Sequence, residues 1–167
     1  PANVYQQKAK GWRHGLDDET VKAVRRIYFA MCAEADAIFG ELMDALREAG
    51  LADETTVIFS GDHGEMALEH QQYYKMSLFE GSARVPLVVR GPGIQAGQRV
   101  ETPVSLIDIA PTICELGGLD QRPSFDGESL LPLARGQTTQ SRGWALASYC
   151  GLTSNTMSWM LRKGDYK

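Results

Sequence analysis

An α/β architecture is what this chain of 167 residues specifies: a mainly parallel sheet flanked by helices, passing into a small antiparallel sheet at the C-terminal end. Three features carry that expectation. A helix-period apolar stripe runs through residues 17–50, two short β-rich runs follow at 56–60 and 85–89, and strand-like segments crowd together from Trp144 onward. Helix, strand, strand, helix and then closely spaced strands is an order that α/β layering accommodates.

The helix opens at Asp17-Asp18-Glu19, where Asp17 can cap free N–H groups and the acids suit the positive end of the helix dipole. Val21, Val24, Tyr28, Met31, Ala35, Ile38, Leu42, Ala45 and Ala49 follow at spacings of mostly three and four, which predicts one buried stripe. Gly50 stops it. One long helix and two sharing an axis are equally compatible with the pattern. Thr56-Val57-Ile58-Phe59-Ser60 is almost unbroken β-branched and aromatic sequence, as in a strand covered on both faces. A loop and a short helix near 76–81 precede a second strand at Val85–Val89, where Pro86 sits near the start and its missing N–H is tolerated.

Gly91-Pro92-Gly93 is a turn. Ser105 or Asp108 can cap the next helix, with Pro111 in its first turn and Ile109, Ile113 and Leu116 toward the core. Residues 119–143 read as mostly loop. Trp144–Tyr149 and Thr156–Arg162 read as strands, with a third starting near Tyr166.

Composition bounds the function. Net charge is −4, hydrophobic content 43% and charged content 23%, an ordinary globular profile. It offers no general attraction to nucleic acid or to an anionic membrane. No run of about 18 apolar residues exists, so no membrane-spanning helix is expected. Cys32, Cys114 and Cys150 form no Cys-x-x-Cys pair, and Cys32 and Cys114 are expected as buried free thiols. The start at Pro1 and the end at Lys167 suggest a segment of a longer protein, so the sequence assigns no compartment.

The chemistry concentrates after the first strand. Phe59-Ser60-Gly61-Asp62-His63-Gly64 ends an apolar run and presents a carboxylate and an imidazole in succession. Ligands of open α/β sheets bind at the carboxyl ends of strands. Asp62 and His63 can both ligate a divalent cation, and the glycines let the backbone turn and approach a ligand. The bland alternative, a strand–loop junction with a capping Asp and a solvated His, has about even odds on this tetrapeptide alone.

Glu69-His70-Gln71-Gln72-Tyr73-Tyr74-Lys75 follows. A lysine beside a cation is reasonable where an anion lies between them, so Lys75 is a candidate for binding a sulfate or phosphate. Its ordinary alternative is an exposed surface lysine. His70 is a candidate substrate contact or an exposed loop residue. Glu80 and Arg84 read as a structural ion pair.

Asp62-His63-Gly64-Glu65, then Lys75 and Glu80, then Arg84-Val85-Pro86 and Gly91-Pro92-Gly93, together resemble the second half of the sulfatase catalytic domain, a member of the alkaline-phosphatase superfamily. Ser105–Thr112 and Asp126–Pro132 resemble the helix and loop that follow in that family. The resemblance covers residues 28–167. Met31–Ala37, Glu69–Ser77 and Thr156–Arg162 look closest to the arylsulfatase K subfamily.

The resemblance implies that residues 1–143 are the C-terminal portion of an alkaline-phosphatase-like α/β domain and 144–167 the start of a small antiparallel subdomain. It implies Asp62 and His63 as metal ligands and Lys75 as the lysine that binds the substrate sulfate and serves catalysis, with His70 in the same loop. Calcium is the usual ion of the family, while an imidazole suits manganese or zinc better. The implied activity is hydrolysis of sulfate esters, with a sulfated uronate of a glycosaminoglycan as the substrate of the nearest subfamily.

One element of the family is missing from this sequence. Its nucleophile is a formylglycine made from Cys in Cys-x-Pro-x-Arg, and none of Cys32, Cys114 or Cys150 stands in such a motif. The nucleophile and the remaining metal ligands are therefore expected in the rest of the catalytic domain, and the segment alone is expected to be inactive. The rivals are a phosphonate monoester hydrolase or phosphodiesterase of the same superfamily, and a degenerate, non-catalytic domain.

Overall fold

A computed structural model describes residues 15–120, 124–150 and 157–167. The irregular stretch expected over 1–14 and the beginning of the last strand at Thr156 lie outside the described residues. The fold is α/β, with a small antiparallel sheet at the C-terminal end. The chain divides into two compact units. Of the described residues, one unit holds those within 15–55, 60–86 and 149–158, and the other those within 56–59, 87–148 and 159–167.

In the first unit, α1 (Asp18–Glu48) is one continuous helix of 31 residues. Asp17 caps it by accepting the Thr20 N–H at 2.7 Å, and that bond holds the Asp17 carboxyl below its ordinary value. At the other end Gly50 adopts φ +69°, and Leu51 N–H reaches back to the Leu46 carbonyl at 2.9 Å. Such a left-handed residue satisfies the last carbonyls of a helix and suits glycine.

The expected buried stripe differs from what forms. Met43 is the helix's one buried side chain, and Val24, Met31, Ile38 and Leu42 are exposed. Cys32 is exposed as well, and Cys114 is half-buried. Periodicity identifies the apolar face of a helix, but a second layer has to lie over that face to bury it. Arg25 of α1 anchors the loop around Ala67, its guanidinium donating to the Ala67 carbonyl at 2.8 Å.

In the second unit, β1 (Val57–Ser60) pairs with β2 (Leu87–Arg90), although Ser60 itself belongs to the first unit. Phe59 and Val88 are exposed, so these strands are covered less fully than their apolar sequences predict. Pro86 falls just before β2, where no ladder bond needs its nitrogen. A 3-10 turn, Leu106–Asp108, leads into α3 (Ile109–Leu116), with a capping box between Ser105 and Asp108. Pro111 lies in the first turn as expected.

The buried face of this element is Asp108, Pro111 and Thr112, and Ile113 points outward. The reason is a polar network rather than an apolar stripe. Asp108 accepts the Ser105 N–H at 2.7 Å, the Glu128 N–H at 3.0 Å and the Arg142 guanidinium at 2.7 Å. Thr112 donates to the Asp108 carbonyl at 2.6 Å and accepts the Leu130 N–H at 2.9 Å. A buried carboxylate is tolerable when paired and bonded in this way. Gly127 completes the packing, because a Cβ there would lie 2.1 Å from the Ile107 carbonyl oxygen.

The stretch 119–143 also holds a helix, α4 (Leu131–Ala134), whose Leu131 and Leu133 are buried. Pro132 sits in its first turn, where proline is accommodated. β3 (Trp144–Cys150) and β4 (Met157–Lys163) pair to form the C-terminal sheet. The third strand expected near Tyr166 is reduced to one antiparallel bridge between Lys163 and Tyr166. No helix among the described residues is long and apolar enough to cross a membrane.

Candidate active site

The site grows from the end of β1. Ser60 Oγ donates to the Pro86 carbonyl at 2.9 Å, which fixes the strand end. The chain then turns through Gly61 to Asp62 and His63. Gly64 follows because nothing larger fits: a Cβ there would stand 2.1 Å from the Gly81 carbonyl oxygen. That close approach lets the Gly64 N–H donate to the Ser82 carbonyl at 2.8 Å, docking the turn on α2 (Glu80–Ala83).

Asp62 and His63 are partly oriented by each other. The His63 N–H donates to Asp62 Oδ1 at 3.0 Å, and Asp62 Oδ2 lies 3.4 Å from His63 Nε2. His63 Nδ1 is 2.9 Å from the Gly64 carbonyl. A carbonyl can only accept, so the ring proton sits on Nδ1 and Nε2 carries the free lone pair. The Lys75 ammonium is the donor to that Nε2. Asp62, His63 and Lys75 therefore meet at one point, although twelve residues separate the last two.

A hard carboxylate oxygen and a neutral imidazole nitrogen stand 3.4 Å apart. Two donors at about 2.0–2.4 Å from one ion reach about that separation when roughly at right angles. The pair fits one edge of a coordination shell. It does not complete a shell, and no cluster of three or more His, Cys, Asp or Glu suited to a metal exists among the described residues.

The loop between His63 and Lys75 is held in an unusual conformation. Ala67, Leu68, His70, Gln71 and Tyr74 have φ of 45°, 67°, 49°, 60° and 63°. A non-glycine residue in that region costs about 1 kcal/mol or more, so the surroundings must over-determine the loop. Met66 and Leu68 are buried, and the Met66 N–H donates to the Tyr74 carbonyl at 2.8 Å. The Glu65 carboxylate bonds to the backbone of Ala67 and Tyr74. Lys75 is gripped from the other side, where Ser82 Oγ donates to its carbonyl at 2.7 Å. Ser82 thus binds both Gly64 and Lys75, a function no feature of Gly81-Ser82-Ala83 announces.

His70 is placed differently from the other three. Its ring lies flat on Phe79, centroids 4.1 Å apart and planes 13° from parallel. Among the described residues no hydrogen bond or ion pair joins it to Asp62, His63 or Lys75. Glu80 and Arg84 stand 4.0 Å apart and exposed, a surface pair of little energetic weight. Near the loop, burial raises the Tyr28 phenol above its ordinary value, with Cys32 next in effect and the Glu65 charge adding to it.

A cleft in the second unit is lined by Asp108, Glu128, Thr138, Gln140, Ser141 and Arg142 among others. Its guanidinium is committed to Asp108, so the cleft has no cation to spare for an anionic ligand.

Comparison with known proteins assigns the family. The Sulfatase family model matches residues 2–119, more than half of the chain. The chain belongs to the sulfatase family. Arylsulfatase K of Danio rerio is 42% identical to this sulfatase chain over 171 residues, covering 100% of it and 33% of the relative. The phosphonate monoester hydrolase of Agrobacterium radiobacter superposes with a TM-score of 0.76 at 38% identity, covering 81% of this chain and 27% of that one. A solved 2-O GAG sulfatase superposes with a TM-score of 0.67 at 26% identity, covering 73% of this chain and 28% of that one. The sulfatase chain thus spans about a third of the length of the curated relatives it matches.

Proposed function

We propose that the intact protein hydrolyses sulfate esters, with Asp62 and His63 holding a divalent cation and Lys75 binding the sulfate group. The observation that carries this reading is the Nε2 of His63, which faces Asp62 Oδ2 at 3.4 Å and receives the Lys75 ammonium. A carboxylate, an imidazole lone pair and an ammonium at one point suit a cation and an anion side by side. The bound cation would supply Lewis-acid polarisation of the sulfate oxygens. Calcium, the usual ion of the family, is the ion we propose, and manganese or zinc are the alternatives that an imidazole ligand suits.

The chain's own residues contribute orientation and charge. The Gly64 carbonyl holds the proton on Nδ1, so Nε2 would ligate the cation once the Lys75 ammonium turns from it to the sulfate. Lys75 would place positive charge against the sulfuryl group as negative charge accumulates there, through an ammonium fixed in advance by the loop. His70, on its Phe79 platform, would meet the part of the substrate beyond the sulfate. The nucleophile, a formylglycine, and the other metal ligands would come from the rest of the catalytic domain, so these 167 residues alone would be inactive. The likeness to a 2-O GAG sulfatase supports a glycosaminoglycan as the substrate class, and a sulfated uronate is the unit we propose within it.

A second reading has its own support. The phosphonate monoester hydrolase of Agrobacterium radiobacter is 38% identical across the matched region, so a phosphonate or phosphate ester is the rival substrate. Paired turnover of an aryl sulfate and an aryl phosphonate monoester by the intact protein decides between them. Sulfate preference supports the first reading, phosphonate preference the second, and turnover of neither leaves the non-catalytic alternative.

A further inference from the structure

We infer that Glu65 is the positioning residue for Lys75, acting as an acceptor for two backbone N–H groups and not as a reacting carboxylate. The inference rests on the proposed role of Lys75 in binding the anion.

The geometry is specific. One oxygen of Glu65, Oε1, accepts the Ala67 N–H at 3.1 Å and the Tyr74 N–H at 2.8 Å. Those two residues stand at the opposite ends of the strained loop, and Tyr74 directly precedes Lys75. The Met66 N–H closes the same neck by donating to the Tyr74 carbonyl at 2.8 Å. Glu65 itself lies two residues beyond His63. A single side chain therefore ties the segment that carries His63 to the residue that sets the position of Lys75.

The loop between these ends needs such a clamp. Five of its non-glycine residues are held at positive φ, a conformation that persists only where surrounding bonds enforce it. Without the clamp, the backbone has an incentive to relax, and Lys75 moves away from His63. Ser82 restrains the Lys75 carbonyl but has no bond to the loop's neck.

Because both bonds end on one oxygen, an amide carbonyl can replace the carboxylate. Glutamine offers the same acceptor with its two lone pairs, whereas alanine offers none. A metal ligand or a general base would respond differently, since either would be disabled by glutamine as much as by alanine.

The test is a set of variants of the intact protein, assayed for kcat and KM on whichever of an aryl sulfate or an aryl phosphonate monoester it turns over. Glu65→Ala is expected to lower kcat/KM by about 100-fold, the scale of a small misplacement of a catalytic group. Glu65→Gln is expected to stay within about threefold of the parent. In a Lys75→Ala background, Glu65→Ala is expected to cost almost nothing further, because the two act through one position.

Three results would overturn the inference. One is Glu65→Gln as damaging as Glu65→Ala, another is parental activity in Glu65→Ala, and the third is an undiminished effect in the Lys75→Ala background. Should Glu65→Ala not fold, Glu65→Gln decides alone: near-parental activity supports the clamp and a 100-fold loss ends it. Parental activity in Lys75→Ala removes the site reading and this inference with it, whereas a Lys75→Ala loss beside an indifferent Glu65→Ala removes only the inference.

Discussion

The ammonium of Lys75 donates to Nε2 of His63, twelve residues earlier in the chain. This contact joins the end of β1 to the far end of a loop held in left-handed backbone. It also fixes the chemistry on offer, because the lone pair that receives Lys75 faces Asp62 Oδ2 at 3.4 Å.

His63→Ala should weaken metal binding in the intact protein and leave the fold in place. The ring is about two-fifths exposed, so its loss opens no deep cavity. We expect metal affinity to fall by more than the 10–100-fold typical of losing an outer partner of a metal ligand, with circular dichroism unchanged. Metal analysis after dialysis checks this. Unchanged metal content would take His63 out of the site.

Arg142→Leu should destabilise the second unit without touching the candidate site. Asp108 and Arg142 are both nearly buried and 2.7 Å apart. Removing the guanidinium leaves a buried carboxylate with only backbone donors, a change that costs about 3 kcal/mol. Chemical denaturation measures it. A loss below about 1 kcal/mol would mean that water replaces the guanidinium without penalty.

The cap of α1 should weaken in acid. The Thr20 N–H holds the Asp17 carboxyl below its ordinary 3.8. A group depressed in the folded state stabilises fully above its unfolded value and loses that contribution as pH falls through the folded value. Protection of the Thr20 amide, measured against its intrinsic exchange rate at each pH, should therefore fall below about pH 3.8 and hold steady between neutrality and pH 5. Asp17→Asn, which caps without titrating, should abolish the dependence.

The parts of this account that were legible in the sequence are those set by short-range chemistry. Asp17 and Gly50 bracket α1 because capping and left-handed termination depend on neighbours within one turn. Asp62 and His63 stood out because two ligating side chains follow an apolar strand, and Lys75 because an ammonium near them calls for an anion. Burial was much less legible. Met31, Ile38 and Leu42 share a helical stripe yet stand exposed, since a period identifies a face and not its cover. Asp108 outranks Ile113 as a core residue through a network reaching Glu128 and Arg142.

Glu65 and Ser82 were the least legible of all. Their partners are backbone atoms up to eighteen residues away, at Ala67, Tyr74, Gly64 and Lys75. Only the path of the loop brings those atoms within reach, and side-chain identity says nothing about that path.

Lys75 is where the account is most exposed to test. Its replacement by alanine removes the one ammonium that meets the Asp62–His63 pair among the described residues. The direct measurement is kcat/KM of the intact protein on an aryl sulfate, parent against Lys75→Ala. Loss of a fixed charge at an oxyanion lowers the rate by about 100–1,000-fold, and we expect a fall of that size with metal content retained. Equal rates for the two proteins would contradict the site.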